Sequence, residues 1–515
     1  MWALRAALRR GLRLPRVGRE AAARRAVRLC PTRALAAFGP GGLEGLGGGR
    51  RGPRADDWRD PAGEDEEEPE EAEDEEGEED DELLTASPLL PAGAQRVCLV
   101  HPEIKGGTGK QQTRAEWQVA EATALVHTLA GWSVVQTMVV PTRTPDSKLV
   151  FGKGSLEHLT GKIRGSPEIT AVFLNVERMA APTKKELEAA WGVEVFDRFT
   201  IVLHIFRCNA RTREARLQVA LAEIPLLRSR LRDDSTHLHR GGGGSRCILG
   251  SGEGRTGVLR RRLKEKELKI QRALERLRAK RRVLRRERAR RELPTIAVVG
   301  YTNCGKTTLI RALTGDPAAR PRDQLFATLD VTAHAGSLPS RMTVVYVDTV
   351  GFLSQLPHGL VEAFSATLED VAHSDLILHV RDVSHPEAEL QKASVLGALR
   401  GLRLPPTLLD SVLEVHNKVD LLPGYSPPEP GVLAVSALQG CGLQELKARL
   451  EEEVLRATGR RVLTLRVRLA GAQLSWLHTE ATVQEVAVIP EDGVADVTVV
   501  ISHSAYGRFR KLFPD

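Results

Sequence analysis

One segment constrains the fold of this 515-residue chain more than any other. The apolar run 295–299 predicts a strand, and 308–313 has the pattern of a helix. Between them lies a GxxxxGK[ST] sequence, and the residues that it implicates are Gly300, Tyr301, Thr302, Asn303, Cys304, Gly305, Lys306, Thr307 and Thr308. Such glycines let backbone N–H groups and the helix N-terminus face phosphates, while Lys306 reaches phosphate oxygens and the Thr307 hydroxyl ligates Mg²⁺. A strand–helix turn that merely contains glycine is the alternative.

Three further motifs at predicted strand ends remove that alternative. They are DTVG, with Asp348, Thr349, Val350 and Gly351, then NKVD, with Asn417, Lys418 and Asp420, and then Ser436, Ala437 and Leu438. Asp348 can hold Mg²⁺ through water, and the Gly351 N–H can meet a γ-phosphate. Asp420 can accept both the N1–H and the 2-amino group of guanine, a donor pair that adenine lacks. The motifs therefore predict a doubly wound α/β domain that binds GTP, and they disfavour a kinase or an ATPase.

A switch segment is predicted between the first two motifs. It comprises Phe326, Ala327, Thr328, Leu329 and Asp330. A threonine hydroxyl and carbonyl can close over Mg²⁺ and the γ-phosphate only while that phosphate is present. Thr328 is the predicted switch threonine, and Thr332 is the alternative. The predicted catalytic residues are thus Lys306, Thr328 and Gly351, and the predicted magnesium ligands are Thr307, Thr328 and, through water, Asp348.

The residue after Gly351 raises a question about hydrolysis, because many GTPases place a water-orienting glutamine there and this chain has Phe352. A phenyl ring cannot polarise water. Three sources of the missing function remain open: a group from a partner, a remodelled loop, or a monovalent cation such as K⁺ held partly by Asn303. Equal turnover in potassium and sodium buffers would exclude the cation.

The net charge of +7 is a sum of very unequal segments. Residues 1–39 carry ten arginines and one acid, with no uninterrupted apolar run, so 1–40 is predicted to be a mitochondrial presequence; a basic tail that binds RNA or acidic surfaces is the alternative. Residues 64–82 carry sixteen carboxylates and no base. They favour a disordered spacer in 41–94. We expect import into the matrix, which agrees with six scattered cysteines and no CxxC pair.

The rest of the chain divides into four predicted parts: 95–206, an α/β domain; 207–293, a basic helical hairpin; 294–458, the GTPase domain; and 459–515, a small α+β domain. In the first part, runs 96–100, 133–140, 169–175 and 200–206 predict strands, and 115–129 and 184–190 predict helices. No apolar run approaches the ~20 residues of a membrane span. We expect a monomer.

The hairpin is predicted from helical stretches 212–233 and 258–292 around a Gly-rich loop, with Pro225 kinking or ending the first arm. Leu263, Ile270, Leu277 and Leu284 recur every seven residues, with Leu274 between them, and predict a narrow packing seam. Between positions 260 and 291 the second arm carries seventeen Lys or Arg against four Glu. A solvated helix is normally of mixed sign, so this imbalance favours binding to a polyanion.

With these motifs in place, residues 95–515 resemble the HflX family of ribosome-associated translational GTPases, and within it the mitochondrial branch of animals. The resemblance rests on GYTNCGKTTLIRALTG, LFATLD and DTVGF, and more specifically on FGKGSLEHL and VFDRFTIVLHIFRCNARTREARLQVALAEI. It implies binding to the large ribosomal subunit and GTP-dependent ribosome splitting. The chain departs from the family at the hairpin loop, where GSGE at 250–253 is followed by GRTGVL instead of TQLETD.

Two functions from different classes follow from this. The first is a GTP-hydrolysing factor that docks on the large subunit of the mitochondrial ribosome and its rRNA, and either splits ribosomes or completes late assembly of that subunit. The second is an RNA-binding scaffold with a regulatory or vestigial nucleotide site. Replacement of Lys306 would abolish only the first.

Overall fold

The structure is a computed structural model that describes residues 93–104, 115–142, 150–240, 248–249, 253–290, 293–326, 328, 331–353, 365–402, 404–469, 471–489 and 493–514. They all belong to one compact unit of the chain, Glu68–Asp515. The predicted presequence and all but the last two residues of the predicted acidic spacer lie outside the described residues. Within the described part of the chain, no helix has both the length and the apolar character needed to cross a membrane.

The first layer is a parallel four-stranded sheet flanked by helices. Its elements are β1 (Gln95–Ile104), α1 (Ala115–Thr128), β2 (Trp132–Thr142), α2 (Lys153–Arg164), β3 (Ala171–Leu174), α3 (Ala181–Trp191), β4 (Glu194–Phe196) and α4 (Arg198–Asn209). The strand order is β2-β1-β3-β4. Val97 to Val100 on β1 are fully buried because helices cover both faces of the sheet.

The strand predicted over 200–206 is wrong, since these residues lie in α4. The segment is rich in β-branched and aromatic residues, and α4 is buried around nearly its whole circumference, so it shows no 3.6-residue polar period. Asp197 was the available signal: its carboxylate accepts a hydrogen bond from the Thr200 N–H at 2.8 Å and caps the helix.

The helical hairpin is present and is antiparallel. It consists of α5 (Arg213–Arg240), β5 (Ile248–Leu249), β6 (Glu253–Gly254) and α6 (Arg255–Arg290). Ile270 and Leu274 of α6 are buried against Leu217 of α5, with Leu277 partly buried beside them, which confirms the centre of the predicted seam. Leu263 is half-buried, and the Leu284 side chain is outside the described residues.

The first arm of the hairpin does not end at its proline, because α5 continues through Pro225. Contacts with α6 on both sides of that position hold the helix together: Leu217 packs in the seam before it, and Arg228 pairs with Glu267 after it. Tertiary packing thus overrides the local preference of proline for a helix end.

The third part is a six-stranded sheet of order β12-β11-β10-β7-β9-β8. Its elements are β7 (Thr295–Gly300), α7 (Lys306–Thr314), β8 (Thr332–Ser337), β9 (Thr343–Asp348), α8 (Ser365–Ala372), β10 (Leu376–Asp382), α9 (Ala388–Gly401), α10 (Pro406–Asp410), β11 (Leu413–Asn417), a 3₁₀ turn (Val419–Leu421), β12 (Leu433–Ala434) and α11 (Leu443–Thr458). All strand pairs are parallel except β8–β9, so β7, β9 and β11 end at one edge. The predicted α/β fold is confirmed; β8 was missed because its sequence, TAHAGS, has little strand character.

The last part is an antiparallel sheet of order β13-β15-β14 with two helices. Its elements are β13 (Arg461–Arg468), α12 (Ala472–Glu480), β14 (Thr482–Ile489), β15 (Val494–Ile501) and α13 (His503–Leu512). Trp476 of α12 and Phe509 of α13 have ring centroids 5.4 Å apart over one face of this sheet. This antiparallel sheet with its two helices agrees with the small α+β domain predicted for 459–515.

One continuous apolar core joins the first layer to the six-stranded sheet. Phe199 and Phe206 of α4 belong to the same buried cluster as Tyr301, Phe326 and Phe352 around the strand ends. This shared cluster fixes the carboxyl edge of the larger sheet against α4.

Candidate nucleotide-binding site

The loop between β7 and α7 has a backbone conformation that few residue types adopt. Gly305 has φ +97°, and Asn303 also lies in the left-handed region at φ 60°. A Cβ at Gly300 would lie 2.4 Å from the Val380 carbonyl oxygen, so only glycine fits beside β10. The loop therefore turns tightly at the end of β7 and brings its N–H groups to the first turn of α7, a geometry suited to phosphate.

Lys306 lies across this loop. Its side chain is buried, and its ammonium group donates to the carbonyl oxygens of Tyr301 at 3.0 Å and Gly300 at 3.3 Å. The cavity beside it is lined by Thr302, Asn303, Gly305, Lys306, Thr307, Thr308, Pro321, Arg322, Gln324, Phe326, Thr328 and Gly351. A fixed positive charge and the α7 N-terminus thus face one concave surface, as an anionic ligand requires.

Three oxygen-bearing side chains meet at one end of the cavity. The Thr307 hydroxyl lies 2.6 Å from Asp348 Oδ2 and 3.1 Å from the Thr328 hydroxyl, which is itself 3.2 Å from Asp348 Oδ2. The structure therefore brings together the three predicted magnesium ligands. It also decides between the two switch threonines, because the Thr332 hydroxyl instead pairs with His334 Nε2 at 2.9 Å.

Asp348 is the group that tests whether a hard cation suits this cluster. Its side chain is fully buried, and within the part of the chain that the structure describes its Oδ1 has no hydrogen-bond partner. Burial raises the pKa of this carboxyl above its ordinary value, although Lys306 and the two hydroxyls oppose the shift. A divalent cation beside Asp348 would favour the charged form, and two hydroxyls with a carboxylate are the oxygen ligands that Mg²⁺ prefers. The residues fit such an ion.

Gly351 lies directly against the loop. A Cβ at this position would be 2.9 Å from Thr302 Cα and 3.0 Å from Lys306 Nζ, so a side chain would intrude between them. The next residue is fixed by a backbone bridge, since the Thr302 N–H donates to the Phe352 carbonyl at 2.7 Å and the Phe352 N–H donates to the Gly300 carbonyl at 3.1 Å. The Phe352 side chain is buried in the shared core and does not line the cavity.

Three predicted site residues, Thr349, Val350 and Cys304, have buried side chains and are not among the residues that line the cavity. The Thr349 hydroxyl donates to the Val298 carbonyl at 2.8 Å, and Val350 is buried. Cys304 is also buried, and burial raises the pKa of its thiol. Ala327, Leu329 and Asp330 lie outside the described residues.

The NKVD motif connects the loop to the neighbouring strand ends. Asn417 donates to the Cys304 carbonyl at 2.9 Å and accepts from the Ala437 N–H at 3.1 Å. Lys418 has φ 66°, and its ammonium group donates to the Asn303 carbonyl and to Asp382 Oδ2, both at 2.8 Å. Asn417 and Lys418 thus act as braces between segments.

The remaining residues of these motifs lie beside the braces. The Ser436 hydroxyl donates to Asp420 Oδ1 at 2.7 Å, which orients the carboxylate that we assigned to guanine. Leu438 is 81 % exposed, so this large apolar side chain is available to pack against a planar base.

Asp382 and Asp323 are site residues that the sequence reasoning missed. Asp382 ends β10 and holds Lys418, and Asp323 accepts from the Asn303 amide at 2.9 Å. The rule that functional groups follow parallel strands would have found Asp382, since β10 lies between β7 and β11. No short motif surrounds Asp323.

Comparisons with known proteins agree with this site. Family models described as "GTP-binding GTPase N-terminal", "GTP-binding GTPase Middle Region" and "50S ribosome-binding GTPase" match residues 116–207, 209–288 and 295–409. The chain is 76 % identical to "Putative GTP-binding protein 6" of Homo sapiens over the full length of both. It is 38 % identical to the GTPase HflX of Magnetococcus marinus, with 70 % of this chain and 84 % of that protein covered.

A solved structure of a GTP-binding protein from Sulfolobus solfataricus in complex with GDP is also similar. It is 22 % identical, covers 70 % of this chain and 99 % of its own, and gives a TM-score of 0.38. The family follows from the sequence relatives, and the order of the three matched family models agrees with the order of the domains in the chain. The chain therefore belongs to the HflX family, and it is a GTP-binding protein that hydrolyses GTP.

Proposed function

We propose that this GTPase binds the large subunit of the mitochondrial ribosome and promotes ribosome dissociation, late assembly of the large subunit, or both. The observation that carries the proposal is the basic surface of α6. The description of one matching family model, "50S ribosome-binding GTPase", supports a ribosomal partner. The arginine-rich, acid-poor composition of residues 1–39 supports import into mitochondria.

The basic residues of α6 outnumber its acids, and many of their side chains are exposed. Exposed basic side chains follow the helix at Arg260, Arg262, Lys264, Lys269, Arg272 and Arg282. Of the acids on the same helix, Glu267 pairs with Arg228 of α5 and Glu265 with Arg261. A helix anchored by one narrow seam and covered elsewhere by positive charge suits a polyanion such as rRNA, whose phosphates would release counterions on binding.

The nucleotide site would act as the timer of this interaction. Mg²⁺ would be held by the hydroxyls of Thr307 and Thr328 and, through water, by Asp348, and it would neutralise charge on the β- and γ-phosphate oxygens. Lys306 would bind those same oxygens, and the Gly351 N–H would meet the γ-phosphate. Loss of that phosphate would release Thr328 and Gly351 together, and with them the conformation that grips the ribosome.

GTP turnover is expected to be several-fold faster in potassium than in sodium buffer of equal ionic strength. The Phe352 ring cannot orient water, and a cation at Asn303 would stabilise the charge that develops on the phosphate oxygens. The Asn303 amide nitrogen is held by Asp323, which leaves its oxygen as the potential ligand. An Asn303→Ala variant should lose the difference between the two salts. Equal rates in both salts would contradict a cation at this position.

Sedimentation of mitochondrial ribosomes with the purified protein and a non-hydrolysable GTP analogue tests the proposed function. We expect the protein to migrate with the large subunit and monosomes to shift to subunits. The variant Lys269→Glu/Arg272→Glu/Arg282→Glu should bind at least ~10-fold more weakly and show a reduced dependence on salt. The control Arg461→Glu/Arg510→Glu/Lys511→Glu removes the same charge from exposed positions of the last domain and should bind normally.

Each outcome of this experiment has a distinct meaning. Binding without a monosome shift would leave late assembly as the function and exclude splitting. Equal losses in the two charge variants would contradict α6 as the contact surface. Binding to neither the large subunit nor monosomes would contradict the proposal.

A further inference from the structure

The end of α4 contacts the switch segment directly. The side-chain amide of Asn209, the last residue of α4, donates to the carbonyl oxygen of Phe326 at 2.9 Å. One turn earlier, the Phe206 ring meets the Phe326 ring edge-on, with centroids 4.7 Å apart and an interplanar angle of 87°. Phe206 and Phe326 are both almost fully buried. A residue of the first layer thus holds a backbone group of the nucleotide domain.

Phe326 is held in a conformation that it would not adopt alone. Its φ is 54°, in the left-handed region that bulky L-residues avoid. Such a backbone persists when its surroundings determine it from several sides. The ring contact with Phe206 and the hydrogen bond from Asn209 are two such contacts among the described residues.

The other end of α4 is fixed at the phosphate loop. Arg198, the first residue of α4, pairs with Glu121 of α1, and Glu121 also accepts a hydrogen bond from the Tyr301 hydroxyl. Arg198 additionally donates to Asn175 at 3.2 Å. One buried helix therefore spans from the loop that would hold phosphates to the segment that would close over them.

We infer that Asn209 is a positioning residue for the GTP-bound state. Phe326 precedes Thr328 by two residues, and Thr328 reaches Thr307 and Asp348. Asn209 fixes the start of the switch so that the Thr328 hydroxyl arrives at the ion and γ-phosphate. GDP lacks the γ-phosphate, so the contribution of Asn209 is specific to the triphosphate. The inference needs only the GTPase activity of the family and is independent of the ribosomal role.

The test compares the affinities of Asn209→Ala for a non-hydrolysable GTP analogue and for GDP, both with Mg²⁺ and without ribosomes. We expect about five-fold weaker binding of the analogue, the value of one hydrogen bond, and GDP binding within two-fold of the parent chain. The control is Cys208→Ser, at the exposed neighbouring position, which should change neither affinity. If Asn209 merely joined the two layers, both nucleotides would lose affinity equally, and that result would overturn the inference.

A second comparison asks whether Asn209 acts through Thr328. In a Thr328→Ala background, Asn209→Ala should cause no further loss of analogue affinity, because the group that it positions is already gone. Additive losses would overturn the inference. A Thr328→Ala variant that keeps full preference for the analogue over GDP would also overturn it, whatever the outcome of the sedimentation experiment.

Discussion

Replacing Lys306 with alanine is expected to lower GTP turnover roughly 100- to 1000-fold, the usual consequence of removing one preorganised charge from a transition-state site. The ammonium group is buried across the loop and is held by two carbonyl oxygens, so its charge is preorganised beside the cavity. Steady-state phosphate release measures the effect. Circular dichroism and thermal unfolding would establish that the variant is folded.

Arg311→Ala is the matched control for this variant. Arg311 lies on the same helix, carries the same charge and is exposed, so its loss should leave turnover near that of the parent chain. Retained splitting or assembly activity in Lys306→Ala would show that hydrolysis is not needed and would favour an RNA-binding scaffold whose nucleotide has a regulatory role. Loss of both turnover and ribosome release would support the timer mechanism.

The change Asp420→Asn is expected to weaken GTP binding about 100-fold, because a neutral amide cannot accept both guanine donors and leaves one of them unpaired. The same change should improve binding of xanthosine triphosphate, whose 2-oxo group can accept from the new amide. Competition binding with GTP, xanthosine triphosphate and ATP measures the change. Ser436 donates to Asp420 at 2.7 Å and can still donate to an amide oxygen, so the local fold should survive.

Glu429→Gln is the control for the specificity change. It removes one exposed carboxylate from the loop that follows Asp420 without touching the motif, and nucleotide preference should not move. If the Asp420→Asn variant still selects GTP over xanthosine triphosphate, a group other than Asp420 recognises guanine.

Most of the nucleotide site could be predicted because local rules and strand-end placement agree. Gly300, Lys306 and Thr307 form one short motif, whereas Asp348 and Asn417 are distant in sequence. They were still predictable, because parallel strands carry their carboxyl ends to a common edge. The sequence left two candidates for the switch threonine, and the structure places Thr328, and not Thr332, beside Thr307.

Other features depend on long-range packing, which local sequence patterns predict less well. The run 200–206 lies in a helix because burial on all sides removed the period that identifies one. Asn209 and Phe326 are 117 residues apart, and neither of the sequence stretches that contain them predicts that they meet. In the sequence, Phe352 indicated only that a water-orienting glutamine is missing. In the structure, its buried ring belongs to the core that joins the first layer to the nucleotide domain.

That shared core has a consequence for how the chain folds. Phe206 of the first layer and Phe352 of the nucleotide domain belong to one buried cluster, so separating the two parts would expose apolar surface of that cluster. The two parts should therefore unfold as one cooperative unit, and a nucleotide bound at one would slow amide hydrogen exchange in the other. A fragment that carries the P-loop without α4 would keep every nucleotide motif and still lack the Phe206 and Asn209 contacts that hold Phe326 at the start of the switch.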